Sequence, residues 1–547
     1  MHIKGTTAGP TTIVLAVLSS MGGFLFGYDT GQIADILLME DFKRRFAQGP
    51  DANGEYNFSV VREGLVVALL SIGTLIGALI GRYASDIMGR RKAIVLFCLL
   101  FSIGVIIQVA AFDSWVQIMM GRFISGWGVG GCSAAVPVYQ SETVPKQLRG
   151  TLIATYQLMI TAGILVAYCI SIGTRSLSNS GSWRIVIGLG IAFALVLGIG
   201  IMFVPESPRW LLEQNREEDA LKALACVRGL PVEHHLVQSD FSEMQEAHLL
   251  DAKAGNGSWW QCFRGEGKPN RAAYRTMLIM VLMAFQQLTG ANYFFYYGAT
   301  IFQSVGIEDS FVTQIILGAI NFGCTFIGIW VMGRFGRRWP LIIGGIWQAA
   351  WLFVFASVGT AKNPETNQTV GKVMIVSACL FIFSYASTWA PGIWILIGET
   401  GTRKNRARQA ALATASNWLW NFLIAFFTPF ITNDIGYAYG FVFAGCNLAG
   451  AIFVYFFLFE SSKISLEMVD RMYSEPGLKA WQSGKWAPEG YASRKQLIDD
   501  EKSGPGPEHV EDAGRASRDS EMTARDPHFN GATMTEKRTG FKPSHHN

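Results

Sequence analysis

Twelve stretches of about 20 mostly apolar residues recur along the chain, as six, a polar break, and six more. They fall at 11–37, 62–82, 93–111, 115–138, 151–173 and 184–204, then at 274–298, 311–333, 339–359, 372–397, 409–430 and 436–459. In lipid every backbone N–H and C=O must be bonded within its own segment, so each run can cross only as a helix. The pattern predicts an all-α membrane protein. Residues 1–10 precede a first six-helix bundle (11–204), a linker (205–273) leads to a second (274–459), and a tail (460–547) follows. Half of the 547 residues are hydrophobic and 16% are charged, against about 25% charged in soluble domains. A net charge of +4 spread over loops excludes a nucleic-acid partner. The bilayer is the one macroscopic partner required, and a monomer is expected.

Basic residues cluster in "GRYASDIMGRRK" (81–92), "VPKQLRG" (144–150), "GRFGRR" (333–338) and "TRKNRAR" (402–408), all on one side of the twelve-span arrangement. The positive-inside rule makes that side, and with it both termini, cytoplasmic. The sequons at Asn57 and Asn367 then fall outside as glycosylation candidates, whereas that at Asn256 falls inside. The first span lacks a charged n-region beyond Lys4 and an A-x-A site, so no cleavable signal is expected. The eight cysteines sit in apolar runs or in the linker, which predicts neither a disulfide framework nor a metal site. Leu221, Leu224 and Val227 recur at helical spacing, predicting short amphipathic helices in the linker. Beyond about residue 475 the tail is rich in Gly, Pro, Ser, Asp and Glu, a composition of disorder.

The two halves repeat one another. "MGRRK" (88–92) closes span two and "FGRRW" (335–339) closes span eight. After spans four and ten, "ETVPKQLR" and "ETGTRKNR" each separate a glutamate from an arginine by seven residues, Glu142 from Arg149 and Glu399 from Arg406. Parallel six-helix halves mark a transporter that rocks about a midplane site.

These motifs, with "FGYDTG" (26–31), "GRFISGWGVGG" (121–131), "PESPRWL" (205–211), "QQLTGANYFFYY" (286–297), "WAPGIWILIGE" (389–399) and "SNWLWNF" (416–422), resemble the sugar-porter branch of the major facilitator superfamily. Among its members the chain looks most like fungal hexose transporters, and the resemblance covers roughly residues 11–470. There are departures: Ile87 follows Asp86 where the family has arginine, Gly333 replaces an acid, and "FESSKI" (459–464) has lost the usual proline. The resemblance implies a twelve-helix major-facilitator fold around a central cavity. It also implies a monosaccharide site built from Gln157, Gln286, Gln287, Asn292, Asn321, Trp389, Trp394, Asn417 and Trp418. Amides suit that task because they donate and accept, as hydroxyls do, while rings cover the apolar face of a sugar. Polar side chains that merely join helices are the competing reading. Tyr296 and Tyr297 resemble the family's outer gate, and Pro391 and Gly392 weaken span ten where its inner gate bends. Glu142, Arg149, Glu399, Arg406, Arg90, Arg91, Arg337 and Arg338 match its cytoplasmic ion-pair network.

All eight histidines lie outside the spans, so a proton carrier within them must be a carboxylate. Asp29 is the one acid placed deep in a span, with Arg122 of span four as its predicted partner. Making and breaking that pair would bind and release one proton per turnover; a static pair is the alternative. The chain is expected to be a plasma-membrane monosaccharide transporter, for glucose and related hexoses, with a proton as co-substrate and no other cofactor. An uncoupled uniporter and a non-transporting sugar sensor remain the alternatives. No nucleophile–base pair stands in the spans, so no enzyme is expected.

Overall fold

The first six spans run Pro10–Ile36, Val60–Met88, Arg90–Val109, Trp115–Thr143, Lys146–Thr174 and Gly181–Gly200 in a computed structural model of the chain. The second six are Ala272–Leu288 with Ala291–Ser304, Ser310–Phe335, Arg338–Ala361, Gln368–Ser387 with Trp389–Thr400, Arg406–Ile435, and Tyr439–Phe457. The structure describes residues 2–3, 6–7, 10–50, 54, 56–143, 146–254, 259–264, 271–304, 309–362, 367–402, 405–464, 466–488, 491 and 493–496. Side chains are described for these residues except 2, 3, 6, 7, 10, 146–154, 247, 250–254, 303, 304, 407, 466 and 467. Arg149 and Asn256 therefore lie outside the described side chains. Ten stretches are long and apolar enough to cross a membrane, one of which, Arg408–Phe457, holds spans eleven and twelve. Span four, diluted by glycines and polar groups, is the twelfth.

Spans seven and ten are each broken, for separate local reasons. In span seven Gly290 has φ +91°, and a Cβ there would stand 2.7 Å from the Phe443 ring, so only glycine fits the break. In span ten the interruption falls at Thr388, three residues before Pro391. Proline has no N–H for the carbonyl four residues back, here Ser387, which ends the first segment. The helix restarts when the Gly392 N–H bonds the Thr388 carbonyl at 3.0 Å.

The linker forms Pro208–Glu213, Glu217–Arg228, His235–Ala254 and Trp259–Arg264. Leu211, Leu212, Ala220, Leu224, Val237 and Phe241 make a small core of their own there. The segment after span twelve differs from the reading of a tail disordered beyond about 475. Beyond that point Ala480–Lys485 forms a short 3-10 helix, and Ala480 and Trp486 are buried in one cluster with Leu278, Leu282 and Leu458 of the second bundle and with Val469, Met472 and Tyr473 of the preceding helix Leu466–Ser474. These apolar anchors are few but spaced to meet one surface, so overall composition conceals them. Residues 1–488 form one compact unit.

The face carrying the arginine-rich loops is called here the basic face, and the opposite one the far face. Every described hydrogen bond, ion pair and ring contact between the two bundles lies at the level of Trp418 and Asn421 or nearer the far face. They are Phe26 against Trp418 with ring centroids 5.1 Å apart, Ser71 to Asn421, Tyr168 to the Phe295 carbonyl, and Arg175 to Asp309 and Phe311.

Candidate functional site

The break at Gly290 lets span seven present Gln286 and Gln287 from one segment and Asn292, Tyr296 and Tyr297 from the next. They meet Asn417 and Asn421, which span eleven sets one turn apart on one face. Gln287 Nε2 donates to Asn417 Oδ1 at 2.9 Å, and Asn417 Nδ2 donates to Gln286 Oε1 at 2.7 Å. Gln287 Oε1 accepts from Asn292 Nδ2 and, at 3.3 Å, from Asn421 Nδ2. Asn421 Oδ1 accepts from Tyr296 OH at 3.0 Å and from Ser71 Oγ of the first bundle at 2.6 Å. The result is a buried amide relay whose end touches the other half of the molecule. Asn421 is absent from the residues predicted from the sequence. Its signal was the N-x3-N spacing after Asn417, which repeats the helical face.

The other predicted contacts distribute unevenly. Asn321 is buried with Oδ1 unbonded, and Trp418 is buried with its indole N–H unbonded. These are one free acceptor and one free donor of the kind a hydroxyl satisfies. Trp394 and Gln157 are half-buried, and no described hydrogen bond joins them to the relay. Trp389 is fully buried and spends its N–H on the Leu341 carbonyl of span nine at 2.9 Å, while its ring packs against Gly345 and Gly450. Only its main-chain carbonyl reaches the relay, 3.4 Å from Gln286 Nε2. Trp389→Ala is expected to cost about 3–5 kcal/mol of stability through the cavity left. Thermal unfolding in detergent should show that loss, with KM for solute unchanged in the folded fraction. Tyr297 donates to the Ala425 carbonyl at 2.5 Å, so both tyrosines tie span seven to span eleven within one bundle.

Asp29 is wedged in place from two sides. Span one lies so close to span five that a Cβ on Gly27 would stand 1.9 Å from the Ile160 carbonyl oxygen. Tyr28 OH bonds the Val186 carbonyl of span six at 2.6 Å. Asp29 itself is fully buried, with Oδ1 accepting from Gln32 Nε2 at 2.6 Å and Oδ2 unbonded. Arg122 is buried as well, with Nε and Nη2 unbonded. Their charges act on one another, yet no ion pair within 4.0 Å joins them. The geometry is that of the separated partners, Asp29 resting on Gln32 instead.

The basic-face network differs from the pairing read in the sequence. The described bonds to Glu142 come from Arg90, whose Nε and Nη2 both reach it at 2.9 Å, and from Ser207 Oγ at 2.7 Å. In the other half Glu399 receives Arg337 Nε at 3.1 Å and Nη2 at 2.6 Å, and Ser461 Oγ at 2.7 Å. Glu399 thus binds the arginine after span eight and not Arg406, and Glu142 is held in the same way by the arginine after span two. Arg406 turns to the Gly401 carbonyl at 3.3 Å. Arg91 bonds the Ile201 carbonyl at 3.1 Å, and Arg338 the Tyr455 carbonyl at 2.6 Å. Glu206 and Glu460 complete the repeat, accepting the backbone N–H groups of Arg90 and Arg91, and of Arg337 and Arg338. "FESSKI" thus brings Glu460 and Ser461 into this network despite the lost proline. On the far face Asn57 is exposed, whereas Asn367 caps Gln368–Ser387, its Oδ1 accepting from Thr369 N at 3.1 Å.

These features agree with what similar proteins show. The family model described as "Sugar (and other) transporter" matches residues 15–473. The chain belongs to the sugar transporter family. The transporter is 43% identical over 513 residues to a high-affinity glucose transporter of Schizosaccharomyces pombe, covering 92% of this chain and 95% of that one. It is 43% identical to a high-affinity fructose transporter of the same yeast, covering 87% and 89%. The inward-open xylose transporter of E. coli superposes with a TM-score of 0.68 at 25% identity, over 84% of this chain and 99% of that one. Members of this family are transporters and not enzymes.

Proposed function

We propose that the transporter carries hexoses, glucose foremost, across the plasma membrane by alternating access, with a proton moving in the same direction. The basic face and both termini are cytoplasmic. The observation that carries this reading is the amide relay Gln286–Asn417–Gln287–Asn421, placed at the level where the bundles meet. Each amide can exchange its amide partner for a hydroxyl at little cost, because both groups donate and accept. The yeast relatives named for glucose and fructose, and the bacterial one named for xylose, support a monosaccharide. The contacts gathered toward the far face make this an inward-facing arrangement. Proton coupling is supported by Asp29, a deep carboxylate parked on Gln32 with Arg122 nearby and unpaired.

Expression in cells lacking their own hexose uptake should restore entry of labelled glucose; failure to take up any hexose or pentose overturns the reading. Glucose should also acidify the cytosol, and an uncoupler should collapse accumulation. Uptake without either effect would leave the uncoupled uniporter.

A further inference from the structure

Opening the far face must separate whatever bridges the bundles there. Among the described residues one ion pair does so: Arg175, just past span five, grips both carboxylate oxygens of Asp309 at the start of span eight. Phe311 lies under the guanidinium, 5.1 Å from ring centroid to carbon. Beside this bridge, at the end of span one, Asp35 is completely buried and no ion pair within 4.0 Å reaches its carboxyl. Ser171, one turn before Arg175 on the same face of span five, is also buried and is the hydroxyl that faces it. The charges of Asp35 and Arg175 already act on each other across this corner.

A buried carboxyl left without a charged partner in one state calls for an explanation. Here the bundle membership supplies it. Arg175 and Asp35 both belong to the first bundle, and Asp309 to the second. Rocking apart removes Asp309 from Arg175 but leaves Asp35 within the same rigid half. We propose that Arg175 is an outer-gate latch that holds Asp309 when the outer mouth is shut and turns to Asp35 when it opens. The exchange keeps the arginine paired in both states, so neither is left with a lone guanidinium at the membrane edge. It also gives Asp35 the charged donor it lacks in the shut form, which lowers the cost of opening. Arg175 holds the Asp309 carboxyl below its ordinary value. A lowered folded-state value means the bridge is fully present above the usual carboxylate range, about 4, and is lost only as pH falls through the lowered value. Asp309 should therefore stay charged and available to Arg175 between about pH 4.5 and 7.

The test reports conformation and needs neither sugar nor proton flux, so it stands apart from the transport assay. Ile315 packs partly buried on the seam formed by Ile160, Ile164 and Tyr168. With the exposed Cys169 and Cys226 replaced by serine, Ile315→Cys is labelled from outside by a membrane-impermeant maleimide, whose rate reports the outward-open fraction. Asp309→Asn should raise that rate at least threefold, Arg175→Gln, which forfeits the pair in both states, should change it less than Asp309→Asn does, and the swap Arg175→Asp with Asp309→Arg should bring it back toward the parent. Asp35→Asn should lower the rate at least threefold, and Arg175→Gln should erase that effect. Unchanged labelling in Asp309→Asn overturns the latch. A rate in Asp35→Asn equal to the parent, or a fall that persists with Arg175→Gln, overturns the exchange. Where Asp35→Asn does not fold, Asp35→Glu serves: it keeps the charge and should label no slower than the parent, and a slower rate overturns the exchange.

Discussion

Asp29→Asn is expected to abolish uphill accumulation of sugar while leaving exchange of sugar for sugar intact. The neutral amide keeps the shape of the carboxyl and can still meet Gln32, now 2.6 Å from Oδ1. It cannot load and release a proton. One charge carried through 100 mV supplies about 2.3 kcal/mol, and about 1.4 kcal/mol is tenfold in an equilibrium, so coupling to the potential alone supports about fortyfold accumulation. The variant should fall to a ratio near one. Counterflow of labelled glucose against unlabelled glucose should stay within a few-fold of the parent, because that half-cycle needs no net proton. Loss of counterflow along with accumulation would make Asp29 a structural anchor of span one. Retained accumulation would exclude it as the coupling group.

What the sequence discloses is the part written in periodicity and in repeats. Apolar windows locate the spans because a bilayer permits no other arrangement for them, and the two GRR signatures mark equivalent corners of the halves. The breaks in spans seven and ten were legible for the same reason: Gly290 and Pro391 act through their own backbones. Partners across the fold were not legible. Glu142 and Arg149 share a sequence spacing with Glu399 and Arg406, yet spacing says nothing of Arg90 or Arg337 arriving from another helix with a planar fork already aligned. Trp389 and Trp394 are indistinguishable as letters, and the difference lies in which indole finds a carbonyl in span nine. Asp35 looks like a residue near an exposed end and proves to be as buried as Asp29. The segment to Trp486 has the composition of a loose tail, but Arg275, buried at the start of span seven, meets Asp470 at 2.5 Å and lies over the Tyr473 ring. A few anchors at the right places outweigh the average of the segment.

Gln287→Leu should be the most damaging single change in the amide relay. Gln287 joins Asn417, Asn292 and Asn421, so its loss strips a partner from three amides at once, two of them buried. Each buried group left without a partner costs about 1–3 kcal/mol, which for even two of them predicts a fall in kcat/KM for hexose of about 10²-fold or more. If the amides only joined helices, a pair in a membrane bundle would be worth about 0.6 kcal/mol, about threefold. The size of the effect therefore decides between a binding surface and a glued seam, provided thermal stability in detergent is measured beside it. Loss of transport with an unchanged unfolding temperature assigns the deficit to sugar contact. An equal loss in both assigns it to packing. Asn421→Ala gives the sharper companion measurement. It removes the Ser71 bond across the bundles as well as a relay contact, so it should weaken sugar binding and also raise the outward-open fraction reported by labelling at Ile315→Cys. Gln287 has no described bond to the first bundle, and its loss should weaken binding without that second effect.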